Sequence, residues 1–107
     1  MLAKSFKQKV DRLLKRGGFK KSTSSKGRIV GLKNVTAGYA FDSSWDEYYV
    51  YYECGNFGYE RGMAQEDKDN RTVEMFEYLQ ETDVADFVSL ETIRGRVVIQ
   101  LFHEDVN

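Results

Sequence analysis

A chain of 107 residues that is 41% hydrophobic and 14% aromatic can build one modest core, which excludes a disordered chain. Cys54 stands alone, which excludes an intrachain disulfide, and no apolar run approaches the ~20 residues of a membrane-spanning helix. The formal net charge of −1 hides an asymmetry: residues 1–33 hold eleven basic side chains and one acid, whereas residues 34–107 hold five basic side chains and sixteen acids. Such imbalance points to a partner that is nucleic acid, another acidic surface or a second copy of the chain.

In chain order, residues 2–16 predict the clearest helix. Leu2, Phe6, Val10, Leu13 and Leu14 fall within an arc of about 120°, with the basic residues over the opposite side. Gly17-Gly18 ends this helix, Lys15 and Arg16 suit its negative C-terminal end, and Phe19 should anchor just beyond the cap. Residues 20–27 read as a polar basic loop, residues 28–33 as a first strand and residues 36–41 as a second. A loop around Trp45 follows. Residues 47–54 (EYYVYYEC) are the strongest strand, and Gly55-Asn56 signals a hairpin that pairs residues 57–62 back onto it. Residues 63–70 read as a polar connection, with Asp69 or Asn70 capping a helix over about 71–82 whose apolar set is Val73, Phe76 and Leu79, with Met75 on the shoulder. Residues 86–91 and 96–102 read as strands joined around Arg94-Gly95. Apolar residues on both faces of the last strand place it centrally.

The expectation is one α+β domain over 1–107: two helices on an antiparallel sheet of about five to six strands, in the order α-β-β-β-β-α-β-β. A lone cysteine, and a basic N-terminus with no apolar stretch after it, fit a soluble cytoplasmic protein without a secretory signal.

The basic third is the main functional hint. Lysine and arginine on a helix face and in a Ser/Thr-rich loop suit phosphate contact, so Lys9, Arg12, Arg16, Lys20, Lys21, Lys26 and Arg28 are the candidate nucleic-acid-binding residues. Tyr49 and Tyr51 share one strand face and, with Trp45, could anchor a protein interface or stack bases. Glu74, Glu77 and Glu81 form an outward acid stripe. That stripe could imitate a phosphate backbone for a basic protein partner, as small phage-carried inhibitors can, or it could be an ordinary solvated helix face. Gly38-Tyr39-Ala40-Phe41 resembles the middle of the aromatic signature of RNA recognition motifs over four residues. Ala37, Asp42 and Ser44 depart from that pattern, and the chain opens with a helix where that family opens with a strand, so membership does not follow. The helix-strands-helix order is similar to that of double-stranded-RNA-binding domains, but Glu66, Asp67 and Asp69 stand where phosphate would have to approach.

Catalysis finds no foothold. His103 is the only histidine, Cys54 falls in a strand expected to be buried, and no glycine-rich phosphate loop, metal-ligand spacing or nucleophile elbow is present. The reading is a non-enzymatic binding protein with no cofactor and no metal, contacting nucleic acid or a nucleoprotein complex. The alternative is an inhibitor or adaptor for a larger protein partner. The charge asymmetry also allows salt-sensitive self-association.

Overall fold

The structure, a computed structural model, describes residues 2–21, 39–42, 47–55, 57–93 and 95–107. The expected strand at 28–33 lies outside them. The described elements are α1 (Ala3–Arg16), β1 (Tyr39–Asp42), β2 (Glu47–Tyr52), α2 (Gln65–Glu81), β3 (Phe87–Ile93), β4 (Arg96–Phe102) and a short 3-10 turn at Glu104–Val106.

The apolar spacing of α1 buries Phe6, Val10 and Leu14 and half-buries Leu13. Each fully buried side chain of this size contributes about 1.5–3 kcal/mol of transfer free energy. Leu2, expected on the same face, is the N-cap residue and remains 75% exposed. The helix stops where Gly18 takes φ +92°. Gly18 N–H then reaches Lys15 O at 3.1 Å and Phe19 N–H reaches Leu14 O at 3.0 Å, the pair of bonds that closes a Schellman cap. Phe19 packs against the core and lies 5.9 Å from the Tyr78 ring.

The sheet is antiparallel with strand order β1-β2-β4-β3. Strand β4 is central, as its two apolar faces require. Val50 and Tyr52 from β2, Ile99 and Leu101 from β4, and Val88 and Leu90 from β3 meet both helices in one core. The class is α+β, but the expectation of five to six strands in the order α-β-β-β-β-α-β-β is overturned. Among the described residues there are four strands, in the order α-β-β-α-β-β.

The hairpin expected at Gly55-Asn56 is the main error, and its physical reason is topological. Strand β2 pairs with β1 along one edge and with β4 along the other, so no edge is left for residues 57–62. The chain instead turns beneath the helices. Phe57 N–H bonds Glu53 O at 3.1 Å, the Phe57 ring is buried in the core, and Phe57 bridges to Lys21.

Helix α2 begins at Gln65 rather than near residue 71, and its N-cap is Ala64, with neither Asp69 nor Asn70 capping it. Glu66 and Asp67 in its first turn suit the positive end of the helix dipole. Its buried line is Thr72, Met75 and Leu79, while Val73 and Phe76 are half-buried. Thr72 belongs inside because its hydroxyl donates to Lys68 O at 2.9 Å and accepts from Cys54 N–H at 3.0 Å. Among the described residues no helix is long and apolar enough to cross a membrane.

Candidate nucleic-acid-binding surface

Helical geometry sets Lys9, Arg12 and Arg16 within an arc of about 60° on α1. All three are exposed, as are Lys4 and Lys15. Past the cap, Lys20 and Lys21 are exposed as well, on a backbone held by Gly58 N–H to Lys20 O at 2.7 Å and by the Lys21–Phe57 bridge. The structure therefore brings five of the seven expected residues onto α1 and the segment that continues it. Lys26 and Arg28 lie outside the described residues. Lys4 and Lys15 lie outside that arc, about 60–140° round the helix from the other three, and still off the apolar stripe.

Lys7 behaves differently. Its side chain is 13% exposed, its Nζ sits 2.9 Å from Asp11 Oδ1, and it lies 4.6 Å from the centre of the Tyr52 ring. Asp11 in turn accepts the Tyr52 hydroxyl, which also lies 2.9 Å from Lys7 O. Burial first, then the Asp11 charge and hydrogen bond, push the Tyr52 phenol far above its ordinary range, so it stays a neutral donor. The sole acid of residues 1–33 is thus engaged against the sheet together with the one lysine it neutralises. What α1 shows to solvent is cationic.

Three acids of the remainder, Glu53, Glu60 and Glu74, pair with its own arginines. Arg71 Nε lies 3.3 Å from Glu74, Arg71 Nη1 lies 3.6 Å from Glu60, and Arg96 Nη1 lies 3.6 Å from Glu53. Glu74, Glu77 and Glu81 are all exposed on the outer face of α2. The two helices meet through Tyr78, whose hydroxyl donates to Leu13 O at 2.7 Å. Among the described residues no ion pair joins the basic N-terminal third to the acidic remainder.

The other expected interface residues are placed less favourably. Tyr51 is only 7% exposed and forms a second cluster with buried Val98, on the sheet face away from the helices. Tyr49 is half-buried, 6.4 Å from the Tyr51 ring and 5.7 Å from Phe102. Trp45 lies outside the described residues. Burial pushes the Cys54 thiol up, against weaker opposition from Arg71 and Lys68. It holds the thiol protonated, which suits an inert core sulfur. His103 packs edge-on to Phe6 and its Nδ1 accepts the Asp105 N–H at 3.1 Å, a role in shaping the C-terminal turn. Among the described residues no group of three His, Cys, Asp or Glu side chains is arranged to hold a metal ion.

The chain matches no known protein family, no curated protein and no solved structure. The functional reading therefore rests on the surface itself.

Proposed function

We propose that this protein is a non-enzymatic binder of nucleic acid or of a nucleoprotein complex, using the exposed face of α1 and the segment after it. One observation carries the reading. The only acid of the N-terminal third is turned inward with Lys7, and Lys4, Lys9, Arg12, Lys15 and Arg16 are exposed with no carboxylate partner among the described residues. Cations so placed displace condensed counterions from a phosphate backbone, and the released ions drive association. Lys20 and Lys21 extend the cationic surface, and Lys26 and Arg28 continue it in sequence. The test is fluorescence anisotropy of labelled single- and double-stranded DNA and RNA at several salt concentrations. Affinity that falls linearly in log salt supports phosphate contact, and absence of binding at low salt overturns it.

A second reading has its own observation. Glu77 and Glu81 are exposed, and none of the ion pairs among the described residues involves them. An inhibitor or adaptor that docks a basic protein would use them with Glu74. Reversing these three charges would weaken that partner and spare nucleic-acid binding.

A further inference from the structure

Strand β3 closes one edge of the sheet, and it lacks the devices that usually guard an edge. Its seven residues, FVSLETI, contain no proline, no lysine and one charge, Glu91. All seven pair with β4 in unbroken register from Phe87↔Phe102 to Ile93↔Arg96, so no bulge twists the edge away. The opposite edge, β1, is four residues long. Phe87, at the start of β3, is 53% exposed.

The direction of the free backbone groups follows from the register. The two-residue connection after Ile93 makes Ile93–Arg96 a hydrogen-bonded pair, and such pairs recur at every second residue. Glu91, Ser89 and Phe87 therefore bond to β4. Val88, Leu90 and Thr92 turn their N–H and C=O groups outward. Val97, opposite Thr92, accords with this, since its N–H goes to Asp69 Oδ1 at 3.3 Å and not to β3. Among the described residues no strand lies beyond this row.

We infer that β3 is a self-pairing edge whose occupant is β3 of a second copy of this chain, joined antiparallel about a two-fold axis at Leu90. The sequence of the edge is self-complementary only in that register. Leu90 meets Leu90 of the second copy, and Val88 meets Thr92, all outward-facing residues, so every free N–H and C=O finds a partner. On the face away from the helices, Phe87 falls opposite Ile93 of the second copy, an apolar cross-strand pair. Glu91 falls opposite Ser89 of the second copy rather than opposite another carboxylate. Ser89 already offers its hydroxyl to Glu91 within one chain at 3.3 Å, which shows the two side chains suit each other. Helix α2 packs over β3 and β4, so the acidic outer faces of two α2 helices share one side of the joined sheet. Salt screens that repulsion. Edge pairing is therefore held or strengthened by salt, whereas head-to-tail pairing of basic and acidic regions is weakened by it.

The experiment is sedimentation velocity over a range of protein concentration at low and high salt, with amide hydrogen exchange on the same samples. The expected result is a dimer that persists at high salt. At the concentration where nine-tenths of the chain is dimeric, exchange at Val88, Leu90 and Thr92 slows about tenfold, because only the monomeric tenth exposes those amides. Thr92→Pro removes an outward N–H at a position where an edge strand tolerates proline, and Phe87→Lys sets a charge against Ile93. Each variant should be monomeric with unchanged circular dichroism. If Thr92→Pro unfolds the chain, Phe87→Lys decides. A wild-type monomer at every concentration overturns the inference, as does a dimer that survives Phe87→Lys or dissociates in salt.

Discussion

The double substitution Arg12→Gln and Arg16→Gln separates a phosphate-binding surface from a merely solvated one. Both side chains are exposed, so the fold should change by no more than about 0.5 kcal/mol. Suppose that Lys9, Arg12, Arg16, Lys20 and Lys21 each engage one phosphate of a duplex. At about 0.9 counterions per phosphate, log K then falls against log salt with a slope of about −4.5. Between 50 and 200 mM salt the wild type should lose about 500-fold in affinity. The double variant keeps three contacts, a slope of about −2.7, and a loss of about 40-fold over the same range. At 50 mM salt it should bind about 200-fold more weakly than wild type, on the same counterion accounting. The assay is anisotropy of a labelled duplex at four or more salt concentrations, with thermal melts to confirm folding. Lys7→Gln is the control. It removes one positive charge from the same helix, where the double variant removes two, but Asp11 already neutralises Lys7 at 2.9 Å, so the slope should stay near the wild-type value. An unchanged slope in the double variant would refute the reasoning. So would a drop per charge removed as large for Lys7→Gln as for the double variant, which would mean that bulk charge, and not this face, does the binding.

Three further predictions concern the scaffold. Tyr52→Phe deletes a buried hydroxyl bonded to a carboxylate and should cost about 1.5–3 kcal/mol in urea unfolding, loosening α1 from β2. Gly17→Ala puts a Cβ 2.7 Å from the Tyr78 ring and should cost about 1–3 kcal/mol; most of that loss should vanish in a Tyr78→Leu background, which a double-mutant cycle measures. Burial raises the Glu53 carboxyl above its ordinary value, against the opposing charges of Arg96 and Lys68. A folded value above the unfolded one gives stability that is full below the unfolded pKa and lost as pH rises through the folded one. The stability of Glu53→Gln relative to wild type should therefore improve from pH 4 to pH 7, and a constant difference across that range would contradict the assignment.

Helix α1 was legible because one apolar arc, a Gly-Gly stop and an anchoring Phe19 all agree on the same element. Leu2 escaped the pattern because a position on the wheel does not say whether the helix has yet begun. Helix α2 was harder. Its first turns, Gln65 to Asn70, carry no apolar period, and its core line includes Thr72, a polar residue admitted by two hydrogen bonds. Reading apolar residues alone turned that face toward Val73 and away from Met75. Gly55-Asn56 is a sound local turn signal, but local chemistry cannot register that β1 and β4 already fill both edges of β2. The tyrosine alternation was readable, with Tyr49 and Tyr51 sharing one face; that the opposite face, with Tyr52, is the one packed under the helices comes from the structure. The burial of Tyr51 beside Val98 depends on tertiary packing that a single strand does not encode. At the candidate surface, the exposure of Lys9, Arg12 and Arg16 followed from the helical wheel. The withdrawal of Lys7 and Asp11 did not, because it is Tyr52, 41 residues beyond Asp11, that holds them.

The way α1 ends also bears on how a polyanion would be gripped. Phosphate often sits at a helix N-terminus, where free N–H groups and the dipole attract it. The N-terminal turn of α2 carries Glu66 and Asp67 and repels it. The C-terminal turn of α1, where Lys15 and Arg16 stand, has the opposite polarity, and the Gly17, Gly18 and Phe19 N–H groups are spent on the helix's own carbonyls. Neither of these ends offers backbone donors to a phosphate. At these two ends contact must therefore come from long, rotatable side chains, here Lys15 and Arg16 and, past the cap, Lys20 and Lys21. Such contacts follow a charged backbone without fixing the position of any base. Binding through this face should then be strongly salt-dependent and weakly selective for sequence, and competition between unrelated duplexes of equal length should be nearly even. A strong preference for one sequence would mean that residues beyond this basic face read the bases.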